Sequence, residues 1–233
     1  MAEPAGFVAL LRHGAYHQRA GAPSARQPYP LTEEGHAQAR AGGAALAAMI
    51  AEADLQPDPV IHCSHQLRAW QTATEVADCL RAHGHSVAEI RETGALAERG
   101  LGCAANLTVN EIEAILSADP RHDPPPAGWK SNSQYQLPLE GAESLMQAGA
   151  RVARYLRETV ANPGPARRVT IFVGHGASFR HAACHLGLLS EAQLAGLSMH
   201  HARPLLFCYS RHGSWRHFEG AWKVRASGDA VLD

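Results

Sequence analysis

A chain of 233 residues with 45% hydrophobic and 18% charged side chains can bury a sizeable core in one medium domain, and that composition excludes a wholly disordered protein. The formal net charge of −1, without a long basic run, argues against nucleic acid or an anionic membrane as partner but leaves a local pocket for small anions open. The five cysteines are odd in number and form no CxxC pair, which fits a reducing compartment. The opening Met1-Ala2-Glu3-Pro4 has neither a basic region nor a long apolar segment, and no later stretch reaches membrane-spanning length. The expectation is a cytoplasmic protein.

The first predicted element is a buried strand over Phe7 to Leu11 that stops abruptly at Arg12-His13-Gly14. A loop follows from Gly14 to Leu31, punctuated by Pro23, Pro28 and Pro30 and long for a simple connection. Thr32 reads as the N-cap of an alanine-rich helix running to about Ala53, with Glu33 and Glu34 favourably placed in its first turn. Pro57 and Pro59 introduce a strand over Val60 to Cys63. Ser64 then reads as the cap of a helix from His65 to about Arg81, with Arg68 in the first turn.

Val87 to Arg91 forms a short predicted strand, after which Leu96 to Gly102 breaks the pattern and carries Glu98. The segment at about 100–139 reads as a cap insertion, with one helix from Thr108 to Leu116 and a proline-rich stretch from Asp119 to Pro126. Trp129 and Tyr135 there either shape a substrate mouth or pack the cap onto the body, the second being the ordinary role of such rings. Gly141 to Glu158 returns to helical spacing. A second β-branched run, Val169 to Val173, leads into Gly174-His175-Gly176 and a helix from Ala177 to Leu186. Leu205 to Tyr209 and Trp215 to Phe218 read as a hairpin at a sheet edge. This order predicts one α/β domain over 1–233, a three-layer α/β/α sandwich with a mostly parallel central sheet.

Open sheets of this kind bind ligands above the carboxyl ends of their strands. Arg12, His13, Arg68, Glu98 and His175 collect there, and the set suits phosphoryl transfer. Two arginines neutralise and orient a phosphate that carries about −1.5 to −2 charges near neutral pH. A histidine nitrogen can attack phosphorus, and a carboxyl group can protonate the leaving oxygen and then accept a proton from water. His181 and His185 are four apart on a predicted helix, but His-Ala-Ala-Cys-His lacks the glutamate of a zinc-protease helix, so no metal site is expected.

At these residues the chain resembles the histidine phosphatase superfamily, in its phosphoglycerate-mutase-like branch. Leu11-Arg12-His13-Gly14 is similar to the RHG signature, Leu31-Thr32 through Gly35 to the LTxxG helix start, and Ser64 through Ala73 to the SxLxRAxxTA segment. Leu96-Ala97-Glu98-Arg99, Gly141 through Leu145 and Gly174-His175-Gly176 follow in the family's order. The resemblance implies that His13 is the phosphorylated nucleophile and Glu98 the proton donor. Arg12, Arg68 and His175 would hold the phosphoryl group, with Gly14, Gly176 and Gln18 as further phosphate or substrate contacts. It also implies a phosphatase without metal or other cofactor, acting on a small phosphorylated molecule, with a phosphoprotein as an alternative and a homodimer as one open assembly.

Two departures concern the substrate side. Gly100 through Leu107 replaces the mutases' tyrosine-glycine and GLNK stretch, and Ala15-Tyr16-His17-Gln18 replaces the residues usual after RHG. They weigh against a glycolytic mutase, so the alternatives to a phosphatase are a phosphomutase and a phospho-ligand-binding module with little turnover.

Overall fold

A strand that is apolar along its whole length needs cover on both faces, and Val8 to Leu11 are fully buried. The computed structural model describes residues 4–162, 164, 165 and 167–225. In chain order the first half holds β1 (Gly6–Arg12), α1 (Glu33–Glu52), β2 (Gln56–Ser64), α2 (Leu67–Ala82), β3 (Glu89–Thr93) and α3 (Val109–Ala118). The second half holds α4 (Leu145–Thr159), β4 (Arg168–Gly174), α5 (Gly176–His185), α6 (Glu191–Leu194), β5 (Leu197–Ser198), β6 (Leu205–Tyr209), β7 (Trp215–Glu219) and β8 (Lys223–Val224).

The central sheet has six strands in the order β3-β2-β4-β1-β6-β7. Its first four strands are parallel, and β6 and β7 are antiparallel additions, so the predicted mostly parallel sandwich is the observed architecture. The two-residue period of β1 divides its side chains between two cores. Phe7, Ala9 and Leu11 pack with Leu46 and Ile50 of α1 and Val76 and Leu80 of α2. Val8 and Leu10 pack on the opposite face with Val152 and Leu156 of α4 and Phe179 of α5.

Helix starts follow the capping chemistry. Thr32 Oγ1 accepts the Gly35 N–H at 3.0 Å, and Thr108 with Glu111 and Ser144 with Gln147 form reciprocal capping boxes. Each cap is worth about 1 kcal/mol. α2 departs from the prediction: it begins at Leu67 behind Gln66, and Ser64 is not its cap. The His65 N–H still donates to the Thr93 carbonyl at 3.3 Å, so the chain stays tied to the neighbouring strand until that residue. β2 also begins earlier than its apolar core suggests, because Gln56 and Pro57 pair with Arg168 and Val169 before a bulge. β3 lies two residues later than predicted, in register from Val60 opposite Glu89.

The segment at 100–139 carries its own small apolar cluster. Ile112 and Leu116 of α3 pack there with Leu101, Trp129, Leu137 and, from the loop after β1, Ala25. Trp129 is buried, its Nε1 donates to Glu113 at 3.0 Å, and the Arg99 guanidinium lies 5.9 Å from its ring centre. Its place is therefore in the packing of this segment rather than at a mouth. Among the described residues no helix is long and apolar enough to cross a membrane. All five cysteines are free thiols.

Candidate active site

The parallel pairing of β1 and β4 sets Arg12 opposite Gly174, and each strand is followed by a histidine. The His13 N–H extends the ladder by donating to the Gly174 carbonyl at 2.9 Å. As a result the rings of His13 and His175 lie with centroids 5.1 Å apart, both buried. β2 ends at the same edge, Cys63 pairing with Val173, and delivers Ser64 beneath His175. Arg68, in the first turn of α2, is fully buried and reaches the space between the two imidazoles.

Hydrogen bonding assigns the tautomers. His13 Nδ1 lies 2.6 Å from the Gly14 carbonyl oxygen, which can only accept, so Nδ1 carries the proton. Nε2 keeps its lone pair and accepts from Arg68 Nε at 3.1 Å. At His175 the assignment reverses. A second guanidinium nitrogen of Arg68 is 3.3 Å from Nδ1 and can only donate, so Nδ1 accepts and Nε2–H donates to Ser64 Oγ at 2.9 Å.

Burial, reinforced by the charge of Arg68, holds both imidazoles well below the ordinary value of 6.5, with Arg12 adding to the effect at each. His13 is thus a neutral nitrogen base at neutral pH. Burial also lowers Arg68, to about 10, against the opposing influence of Tyr16 and Glu98, and the group remains a cation.

The long loop after β1 holds Arg68 in place. Its terminal nitrogens donate to the carbonyls of Gln27, Ser24 and Ala25 at 2.8, 2.9 and 2.8 Å, and its guanidinium lies 4.3 Å from the Tyr16 ring centre. Gln66 ties the same loop to the next strand end, donating to Ala25 O at 2.9 Å and accepting the Glu98 N–H at 3.0 Å. Three backbone carbonyls and a π-face suit a cation deprived of water.

Arg12 passes over Gly176, where a Cβ would lie only 3.0 Å from Arg12 Cδ, and donates to the Met199 carbonyl at 3.1 Å. Gly14 has a different constraint. Its N–H donates to Thr72 Oγ1 at 3.1 Å, and a Cβ there would stand 2.3 Å from the Gly35 carbonyl oxygen. The structure thus gives Gly14 a close-approach role, with its N–H already engaged. Gln18 sends its side-chain amide to the Ala22 carbonyl at 2.9 Å, bracing the loop.

Glu98 is buried at the N-terminus of α5. Its carboxylate accepts the backbone N–H groups of Arg99, Ala177 and Ser178 at 2.9, 3.3 and 3.1 Å, at the positive end of the helix dipole. Arg151 steadies the turn that carries it, donating to Ala95 and Ala97 carbonyls at 2.8 and 3.1 Å.

The structure therefore gathers Arg12, His13, Arg68, Glu98 and His175 at one edge of the sheet. Sequence reasoning missed Tyr16 under Arg68, Ser64 as the partner of His175, and His201, whose ring stacks on His13 with centroids 5.9 Å apart. The signal for Ser64 was its position at a strand end, which the capping rule explained too readily. His181 and His185 point elsewhere: the first donates to the Ala177 carbonyl at 2.8 Å and meets Ser133, the second meets the Met146 carbonyl at 2.9 Å.

The family model of the histidine phosphatase superfamily (branch 1) matches residues 8–217. The chain belongs to that superfamily. A 2,3-bisphosphoglycerate-dependent phosphoglycerate mutase of Brucella ovis is 32% identical over 178 residues, 76% of this chain and 79% of the relative. A Sinorhizobium fredii protein of the same description is 29% identical over 204 residues, 87% of this chain and 89% of its own length. Among solved structures, a mycobacterial glucosyl-3-phosphoglycerate phosphatase shares the fold with a TM-score of 0.64 at 22% identity, covering 94% of this chain and 97% of the other. A phosphoserine phosphatase of Entamoeba histolytica does so with a TM-score of 0.59 at 17% identity, covering 96% and 98%.

Proposed function

We propose that this protein is a phosphatase that hydrolyses phosphate monoesters through a phosphohistidine on His13. The observation that carries the reading is the neutral Nε2 lone pair of His13, fixed by the Gly14 carbonyl and facing the Arg68 guanidinium at 3.1 Å. A phosphoryl group that reaches Nε2 inserts between these two groups. The N–P bond forms as the P–O bond to the leaving group breaks, with Arg68 and Arg12 countering charge on the non-bridging oxygens. A bound anion also favours protonation of His175 at Nδ1, which then donates to a phosphoryl oxygen.

The ester binds as its monoanion and passes its proton to Glu98, which supplies it to the leaving oxygen. In the second step it takes one from the attacking water, and the N–P electron pair returns to Nε2. For this, one carboxyl oxygen must give up a backbone N–H and turn toward the ester. Charge neutralisation is assigned to protein cations alone, so the scheme uses no metal or other cofactor. The substrate is a small phosphorylated molecule, with a phosphoprotein as the alternative.

The test is release of inorganic phosphate from a panel of sugar phosphates, phosphoglycerates, nucleotides and phosphopeptides, with His13→Ala alongside. Release that disappears in the variant supports the reading. A phosphomutase is the second reading, favoured by the names of the sequence relatives. Positional isomers without net phosphate release would establish it, whereas tight binding without phosphohistidine would indicate a phospho-ligand-binding module.

A further inference from the structure

The turn that carries Glu98, residues 94–100, leads from β3 into the segment at 100–139 and has one short 3₁₀ turn of its own, Gly94–Leu96. Most of its backbone polar groups need partners from elsewhere in the chain. Two residues supply many of them, Arg151 in the second turn of α4 and Glu143 just before that helix. Arg151 Nη1 donates to the carbonyls of Gly94, Ala95 and Ala97 at 3.3, 2.8 and 3.1 Å, and Nη2 reaches the Glu98 carbonyl at 3.4 Å. Glu143 takes the far side of the turn. Its Oε2 accepts the Gly100 N–H at 2.9 Å, and its own N–H donates to the Gly100 carbonyl at 2.8 Å.

The two residues are fastened to each other. Arg151 Nε and Nη2 each donate to one carboxylate oxygen of Glu143 at 2.8 Å, a forked pair whose side chains are 18% and 21% exposed. Burial alone would raise the Glu143 carboxyl, but Arg151 and the Gly100 N–H outweigh it and hold the group below its ordinary value. α4 is in turn locked to α5, because Gly149 packs where a Cβ would lie 2.6 Å from the His181 carbonyl carbon. α5 offers the N–H groups of Ala177 and Ser178 on which the Glu98 carboxylate rests. One packed helix pair thus holds the main chain of Glu98 through α4 and its carboxylate through α5.

Proton transfer needs this arrangement. The carboxylate has to leave a backbone N–H and swing to the leaving oxygen, and the swing ends in the right place only if the main chain stays fixed. A general acid works within about 2.6–3.2 Å of its target, and a misplacement of about 1 Å costs on the order of a hundredfold.

We propose that the Glu143–Arg151 ion pair positions Glu98 for proton transfer and so sets how well the enzyme cleaves esters with poor leaving groups. The proposal rests on the phosphatase reading, with Glu98 as the donor. Transfer from an aryl ester to His13 needs little of that proton, so the pair acts selectively on alkyl esters and on the attack of water, where Glu98 is the base.

The test compares wild type, Arg151→Lys and Glu143→Gln on p-nitrophenyl phosphate and on an alkyl phosphate that wild type hydrolyses. Lysine keeps the positive charge, whose field also reaches His175, but cannot fork to Glu143 and the carbonyls together. In Arg151→Lys, kcat/KM for the alkyl ester should fall about tenfold to a hundredfold, and that for the aryl ester far less. With the aryl ester kcat and KM should fall together, and a burst of nitrophenol should precede the slower steady state, because phosphohistidine then waits for water. Arg151→Lys added to Glu98→Gln should cost nothing further with the alkyl ester, since both act through one carboxyl group. Glu143→Gln should show the same pattern to a smaller degree, and it decides the matter if the lysine variant does not fold. An unchanged ratio between the two esters, or a loss that multiplies with that of Glu98→Gln, overturns the proposal and leaves the phosphatase reading standing. A wild type that releases no phosphate from any ester overturns both.

Discussion

Arg12 and Gly174 face each other across the parallel pairing of β1 and β4, and the chain continues from each directly into a histidine. One register thus sets the spacing of the two imidazoles, at 5.1 Å between ring centres. A shift of that register by one residue would turn the alternating side chains of β1 toward the wrong cores. The two hydrophobic cores therefore protect the geometry of the site.

Arg68 is the group that both imidazoles share. Arg68→Ala should lower kcat/KM by about a hundredfold to a thousandfold, the scale for losing one preorganised donor at a developing charge. Arg68→Lys should rescue little, because an ammonium cannot reproduce a fork that meets two histidines and three carbonyls. Steady-state kinetics on one aryl phosphate checks this, and near-normal rates for the lysine variant would contradict it.

Glu98→Gln should slow alkyl phosphates far more than aryl phosphates, whose leaving groups need less protonation. The substitution also turns an amide donor toward the backbone N–H groups that the carboxylate now accepts. A loss of about 1–3 kcal/mol in stability is expected beside the kinetic effect. Denaturant titration separates the two. Equal losses for alkyl and aryl esters would assign Glu98 a positioning role alone.

Acid should destabilise the protein through its buried histidines. Burial lowers His181 to about 4 and holds His13 and His175 well below 6.5. Between pH 6.5 and about 4 the unfolded chain binds more protons than the folded one at these positions. Stability from this source is full above pH 6.5 and falls as the pH drops through that window, with a slope of up to about 1.4 kcal/mol per pH unit for each histidine. Unfolding free energies measured at intervals from pH 7.5 to 4.5 should show this decline, and His181→Asn should make it shallower. A profile unchanged by that substitution would contradict the assignment.

Gly35→Ala should be more damaging than its place near a helix start suggests. Its Cβ would lie 1.8 Å from the Ala15 carbonyl oxygen, and the displaced backbone is the one that runs on from His13. The expected cost is about 1–3 kcal/mol of stability, with a reduced kcat in the folded fraction. A melting curve together with kinetics decides it; wild-type behaviour in both would count against the close packing.

The strands that carry the two histidines were legible because their apolar runs end so sharply, and the helix from Thr32 because its cap and first-turn acids agree. Arg68 and Glu98 could be placed at the rim from position and charge. What a one-dimensional pattern could not supply was contact across distant segments: Tyr16 beneath Arg68 and Ser64 against His175. Ser64 was misread for a physical reason, since a serine before a helix has two uses and the pairing of His65 with Thr93 decides against capping. Gln18 entered only through the resemblance, and in the structure its amide donates to the Ala22 carbonyl.

The most direct measurement is to trap the covalent intermediate: rapid acid-free quenching of enzyme mixed with a 32P-labelled monoester, followed by identification of the labelled residue. Stoichiometric label on His13 that is stable to alkali, labile to acid and absent from His13→Ala is the predicted result. Label on another side chain, or phosphate release that persists undiminished in His13→Ala, would contradict the account.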